Sequence, residues 1–455
     1  MNKLKMFYKN ETKYFKFTSE QYYNLEKEYN RYNIYISLIK QIEIILKISE
    51  SYEQNNRKKY ENKNIIDRFI LECINHGITP NIKTLQNFKD DFDKEINFDL
   101  LSYHIFFNPI LDKLDQLQNI IYYNKMLNEY NEKKININPE QQLLIIKLIS
   151  NSNKQFANIQ NNLRYKLQIK NENINENSNK YIISDKKDID KKDIDKKDIN
   201  NDILCSITLK NDNYIVVKYR DYSKTLNLKR YNELIKNYDR PYPYDLIRML
   251  LRYSIFDMSN QQWSIGKNLY DDISEVFNLS FEMFASPLNF NMNMFCSIFL
   301  DTDRIFGSLG SFYNLNIDKL LNQNIKGVLF NPPYLPLLMA NCTKQCINIL
   351  DEMSKLNIDF TIVSFLPNWS DADYIRSFIE SKYVVIYKVV NKGSYVLHEK
   401  DKGKIINGTF DLLVIVLNSM NLKWGANSTN TRKKEIIDGF ENIIKIMKEE
   451  TRNIK

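Results

Sequence analysis

Three histidines and five cysteines in 455 residues leave little from which to build a metal centre or a disulfide framework. Cys73, Cys205, Cys296, Cys342 and Cys346 stand at no paired spacing, so neither a zinc site nor a disulfide scaffold is expected, and a reducing compartment is. Cys342 and Cys346, four apart, read as buried thiols on one helix face rather than as ligands. The opening stretch MNKLKMFYKNETKYFKF has no apolar core of a secretion signal. No apolar run approaches the roughly 18 to 20 residues of a membrane span. The expectation is a soluble, intracellular chain with no metal and no membrane partner.

What is present suffices for an ordinary globular fold: 43% hydrophobic residues can bury a sizeable core, spread over two or three domains. The many Tyr, Phe, Asn, Ile and Lys residues match an AT-rich coding sequence, so aromatic content alone points to no function. Residues 1–170 carry helical periodicity, clearest in IYISLIKQIEIILKI and QQLLIIKLISNSNKQFANIQNNL, and predict an all-helical domain. Residues 171–201 hold the recurring pentad Asp-Lys-Lys-Asp-Ile, whose balanced charges predict a solvated linker rather than a basic arm. A connecting region occupies 202–244. Between Tyr214 and Tyr253 nine basic residues face four acidic ones, more than half of the net charge of +8. Two readings stay open there. Arg220, Lys229 and Arg230 could track a phosphate backbone while the interleaved tyrosines stack on bases, or the stretch is a basic surface over core tyrosines.

From 245 to 425 near-continuous apolar strands alternate with helices, which predicts an α/β domain with a mainly parallel sheet covered on both faces. Residues 426–455 predict an amphipathic helix that docks on it, through Ile436, Ile437, Phe440, Ile443, Ile444 and Met447. One strand, VLF, runs into Asn331-Pro332-Pro333-Tyr334. Two prolines fix φ twice and remove two backbone donors, so this is a rigid turn at a strand's carboxyl end, where such sheets bind ligands.

An exocyclic amino group such as adenine N6 is a poor nucleophile because its lone pair is delocalised into the ring. Activating it means accepting its two hydrogens, one at the Asn331 side-chain oxygen and one at the Pro332 carbonyl, while Tyr334 stacks on the ring. Rigidity matters, since a misplacement of about 1 Å costs on the order of a hundredfold. The tetrad alone names a planar nitrogen: adenine N6, cytosine N4 or a glutamine amide. A pocket for S-adenosyl-L-methionine is expected upstream, at FEMFASPLN, which has no Gly-x-Gly. Phe284, Ala285, Ser286, Pro287 and Asn289 form its candidate loop. The next strand is expected to end in Asp301 and Asp303, placed for ribose hydroxyls or an ammonium, or else for capping the turn. FGSLGSF, with Gly307 and Gly310, reads as a flexible loop beyond it.

FEMFASPLN, CSIFLDTDRIFGSLGSF, VLFNPPYLPLLM, FTIVSFLPNW and NGTFDLLVIVLNS occur one after another in the order seen in the phosphorylated CTD-interacting factor family. The chain resembles these cap-specific adenosine N6-methyltransferases over roughly residues 245 to 420. The resemblance implies a Rossmann-like class I methyltransferase domain packed on the helical domain. It also implies transfer from S-adenosylmethionine to N6 of the 2′-O-methyladenosine beside the cap of capped RNA. By position Asn331, Pro332, Pro333 and Tyr334 match the catalytic tetrad, with Tyr where animal members have Phe. Phe284 to Asn289 and Asp301/Asp303 match the cofactor side, and Trp369 matches a Pro-x-Trp that lines the substrate cleft or the core. Animal members also carry a WW domain that binds the RNA polymerase II tail. With tryptophan only at 263, 369 and 424, the expectation is that this domain, and that partner, are absent. An N6-adenine methyltransferase acting on DNA or internal RNA, and a non-catalytic RNA-binding scaffold, are the alternatives. The composition and the pentads would suit a large DNA virus that caps its own transcripts, which favours a cytoplasmic enzyme, or an AT-rich protist.

Overall fold

The computed structural model describes residues 12–15, 17, 19–45, isolated positions between 148 and 163, 183–185, 205–236, 242–254, 262–334, 336–369, 372–420 and 431–452. The chain divides into two units, one of residues 1–74, 78–228 and 237–258, the other of 75–77, 229–236 and 259–455.

The first unit contains a five-stranded antiparallel sheet. Its strands are β1 (Thr12–Phe15), β2 (Ile183–Asp185), β3 (Cys205–Asn211), β4 (Tyr214–Tyr219) and β5 (Tyr222–Asn227), in the order β2-β1-β3-β4-β5. Buried and open positions alternate along β3 and β4, as a strand with one face on a core requires. The helix Ser19–Ile45 buries Leu25, Tyr29 and Ile34, and with them Glu26, Glu28 and Arg31. These polar groups are paired: the Glu28 carboxylate accepts from Arg31 at 2.6 Å and from Arg252 at 2.6 and 3.0 Å. Tyr219 donates to Glu26 at 2.6 Å.

Two expectations change here. β1 lies before the charged pentads and β2 at their start, and both join the sheet of β3 beyond them, so the repeat does not set a helical domain apart from the rest of the chain. Segments of four and three residues are too short for their alternation to stand out beside the long helical pattern. The second helical segment, 141–163, lies largely outside the described residues.

The second unit is built on a six-stranded mixed sheet. After β6 (Trp263–Ser264) come β7 (Leu279–Glu282), β8 (Met294–Phe295), β9 (Gly327–Phe330), β10 (Thr361–Pro367), β11 (Val384–Val390), β12 (Val396–Glu399), β13 (Lys404–Asn407) and β14 (Leu412–Asn418). The sheet order is β11-β14-β10-β9-β7-β8, and β13-β12-β6 form a separate small sheet. β8, β7, β9 and β10 run parallel, whereas β14 is antiparallel to both β10 and β11. Five of the six strands therefore point the same way, as a mainly parallel sheet requires, and β14 alone is reversed. Every residue of β9, β10 and β14 is buried, which is why these strands read as unbroken apolar runs. The helix Thr431–Arg452 buries Ile436, Phe440, Ile443, Ile444 and Met447 in the same core as Phe277, Val363 and Val414, so it docks on the domain. Among the described residues no helix is long and apolar enough to cross a membrane.

Candidate active site

From β7 the sheet grows in opposite directions: β8 pairs on one side and β9 on the other. Parallel sheets open a crevice at such a switch point, outside the carboxyl ends of the diverging strands. Those ends are Glu282 and Phe330, and the segments that leave them are Met283–Asn291 and Asn331–Tyr334. The Met283 amide still donates to the Leu329 carbonyl at 2.9 Å, keeping the two exits side by side. The Phe284 ring packs against Phe312 at 4.7 Å and edge-on against Phe330 at 5.7 Å, which ties the exits together.

Without glycine, the loop after β7 takes its shape from side chains. Ser286 is buried; its amide donates to Asn289 Oδ1 at 2.7 Å and its hydroxyl to Gln262 Oε1 at 2.6 Å, while the Leu288 amide donates back to Ser286 Oγ at 3.1 Å. Phe284, Ala285 and Asn289 remain half-open, and Ser286 and Pro287 form the floor. Beneath the loop the Glu282 carboxylate accepts from the Asn291 amide at 3.1 Å. Burial pushes this acid up to about 7, against the opposing pull of Lys400 and of the Asn291 hydrogen bonds. Lys400 donates to the Phe290 carbonyl at 3.0 Å and to Asn291 Oδ1.

The acidic pair behaves differently from expectation. β8 stops at Phe295, and Asp301 and Asp303 lie beyond it on a helical turn, Leu300–Asp303. Asp303 is wholly buried and accepts the Thr302 hydroxyl at 2.9 Å, whereas Asp301 is exposed. The glycine segment after them is pinned rather than flexible. Gly307 and Gly310 have φ of 103° and 94°, a region that favours glycine, and the Gly310 carbonyl accepts the Ser297 amide at 3.0 Å.

In the tetrad Pro332 is buried while Asn331, Pro333 and Tyr334 are half-open. The Tyr334 hydroxyl donates to Asn331 Oδ1 at 2.9 Å, which fixes the amide and leaves its oxygen a second lone pair. Phe410 stands edge-on to the Tyr334 ring at 5.3 Å, and its own carbonyl is held by the Tyr395 hydroxyl at 2.8 Å. Burial drives the Tyr334 phenol upward, so it stays neutral and a donor. At the end of β10, Trp369 is 41% exposed and touches Tyr374 edge-on, so it is not a core residue. The Asn368 amide donates to the Asp411 carbonyl and the Lys392 amide to Asp411 Oδ1, both at 2.8 Å, which gathers these loops at the same edge.

The basic stretch divides. Tyr219, Tyr222 and Tyr231 are buried and have no face to offer a base. Arg220 sits at a hairpin tip with φ of 55° and pairs with Glu26 at 2.6 Å. Arg230 is 1% exposed and bonded inside the second unit, so it cannot track a phosphate backbone. Lys229 is exposed. Cys342 and Cys346 are buried thiols outside any disulfide. His398 is a half-buried residue of β12 paired with Ser264.

Glu282, Lys400 and Phe410 contact the loop after β7 or the tetrad but were not singled out in the sequence. A lone acid closing the apolar strand LSFE was the available signal for Glu282. Nothing local marks the other two, which arrive from remote loops.

Fold and edge together define a mixed α/β protein in which the glycine-free loop and the tetrad leave the sheet side by side, where β7 and β9 end. A family model described as the Phosphorylated CTD interacting factor 1 WW domain matches residues 222–399, and over that segment the chain is like the phosphorylated CTD-interacting factor family. The mRNA (2'-O-methyladenosine-N(6)-)-methyltransferases of Mus musculus and Homo sapiens are each 27% identical over 124 residues, which is 27% of this chain and 16% of those proteins. The chain thus aligns with about a sixth of the length of these relatives. The match corrects the inference from tryptophan count that a WW domain is absent. A family model bearing that description covers the β7 to β12 region, with Trp263 and Trp369 inside it, so sparse tryptophan is no guide.

Proposed function

We propose that the chain is an S-adenosylmethionine-dependent methyltransferase, Rossmann-like of class I, that modifies N6 of the 2′-O-methyladenosine beside an RNA cap. The observation that carries this reading is Asn331-Pro332-Pro333-Tyr334 at the carboxyl end of β9, next to the exit of β7 at the switch point. The relatives' names supply the acceptor.

The residues around the β7 exit fit the cofactor. Ala285 is small, Phe284 gives a half-open ring, and the exposed Asp301 carboxylate can accept hydroxyl or ammonium hydrogens. S-adenosylmethionine supplies a methyl group on a positively charged sulfur, open to a nitrogen lone pair. The Asn331 oxygen and the Pro332 carbonyl accept the two N6 hydrogens and so localise that lone pair. Tyr334, braced by Phe410, stacks on the base and sets its plane. No strong base is needed, because the amine loses its proton after transfer. Trp369 and Lys229 are the residues offered to capped RNA, one as a stacking face and one as a phosphate contact.

The test is transfer from labelled S-adenosylmethionine to matched RNAs beginning with capped 2′-O-methyladenosine, capped guanosine or uncapped adenosine, with nucleoside mass spectrometry of the products. Methylation confined to the capped adenosine supports the reading. Equal labelling of uncapped or internal adenosine, or of DNA, replaces it with a general adenine methyltransferase, and binding of RNA with no transfer replaces it with a scaffold.

A further inference from the structure

Loops that bring backbone close to a nucleotide cofactor ordinarily use glycine, and residues 283–291 have none. Something else must hold this turn, and the Arg230 side chain occupies that place. Its Nε and one terminal nitrogen both donate to the Pro287 carbonyl, at 3.0 and 2.7 Å. The other terminal nitrogen donates to the Phe290 carbonyl at 3.0 Å and to Glu233 at 2.8 Å. The guanidinium also covers the Phe290 ring at 3.9 Å. Lys400 adds its bond to the same Phe290 carbonyl. The turn is therefore gripped at two carbonyls three residues apart by a planar fork on the helix Leu228–Ile235.

We infer that Arg230, assisted by Lys400, is a positioning residue that shapes the glycine-free cofactor turn 286–291 in place of a glycine-rich loop. The inference rests on the methyltransferase reading above. Two carbonyls that would otherwise need water are satisfied by one rigid donor set, so the turn keeps a single path. The tetrad on β9 has its own supports in Phe410 and the Tyr334–Asn331 bond. Loosening the turn accordingly weakens cofactor binding and spares the chemical step.

The experiment compares the full chain with its Arg230→Met and Arg230→Lys variants. It measures S-adenosylmethionine affinity by calorimetry, KM for the cofactor, kcat at saturating cofactor, and amide exchange at 286–291. Arg230→Met keeps the stem and loses every donor; its cofactor Kd and KM should rise roughly tenfold or more, with kcat at saturation within a few fold. Arg230→Lys, a point donor in place of a fork, should fall between. Exchange should quicken in the turn and not in β9 or β10. Should Arg230→Met fail to fold, Lys400→Met carries the test, with a smaller rise in the same direction. A folded Arg230→Met protein with unchanged cofactor KM, or a loss confined to kcat, would overturn the inference alone. A wild-type chain that binds no S-adenosylmethionine would overturn it together with the reading it rests on.

Discussion

Glu28 in the first unit and Glu282 in the second are buried alike, 3% and 2% exposed, and each has cationic side chains close by, yet their acids shift in opposite directions. Burial penalises both charges. At Glu28 that penalty is exceeded, because Arg252 grips the carboxylate with two nitrogens and Arg31 with a third, and the acid stays well below its ordinary range. At Glu282 the nearby cations, Lys400 and Arg230, also pull the acid down, but more weakly than burial pushes it up. Burial then prevails and the acid rises to about 7. What separates the two acids is whether the cations around them outweigh the cost of burial.

The widest contrast between the units should come from Asn331→Ala. It removes an acceptor from an open site, so transfer should drop by on the order of a hundredfold or more while the melting temperature and cofactor affinity hardly move. Full activity in that variant would end the assigned mechanism. In the first unit Glu28→Ala strands two buried guanidiniums and should destabilise by about 3–5 kcal/mol, read from denaturant unfolding, a cost that breaking a buried pair ordinarily carries. A loss under about 1 kcal/mol, by the same measure, would mean the pair is exposed to water.

A smaller, pH-dependent difference is expected between the two glutamates. Glu282 binds its proton more tightly folded than unfolded, so its contribution is full below its unfolded value and is lost as pH rises through about 7. Glu28 has the opposite sign: its contribution is full above its unfolded value and is lost on acidification. Melting temperatures recorded from about pH 5 to 8 should therefore show a downward slope that Glu282→Gln flattens and Glu28→Gln leaves in place. The least effect should be that of Tyr334→Phe. It keeps the ring but frees the Asn331 amide, and turnover should stay within a few fold, whereas Tyr334→Ala should lose most of it.

Those features that depend on consecutive residues were legible in the sequence. The strand exit at Phe330, the tetrad, and the docking face of the last helix all come from local pattern and from proline stereochemistry. What pattern could not give was pairing across distance. β1 and β2 are too short to announce themselves, and they join the sheet of β3 through register rather than composition. Arg230 looks like its basic neighbours in a linear reading. Only packing turns it inward while Lys229, one residue earlier, stays out. Asp301 and Asp303 share a motif but not an environment, because a helical turn directs alternate residues differently from a strand.

β14 enters the sheet between β10 and β11 and runs against both, so its beginning, not its end, stands beside the end of β10 and brings Phe410 to Tyr334. Translated into the order of synthesis, the strand that unites the sheet is the last of the described strands to leave the ribosome. Until it does, β11 has no neighbour in this sheet and Tyr334 lacks its brace. A nascent chain can therefore carry the whole tetrad through the synthesis of β10 to β13 without the completed site, and competence arrives late and all at once.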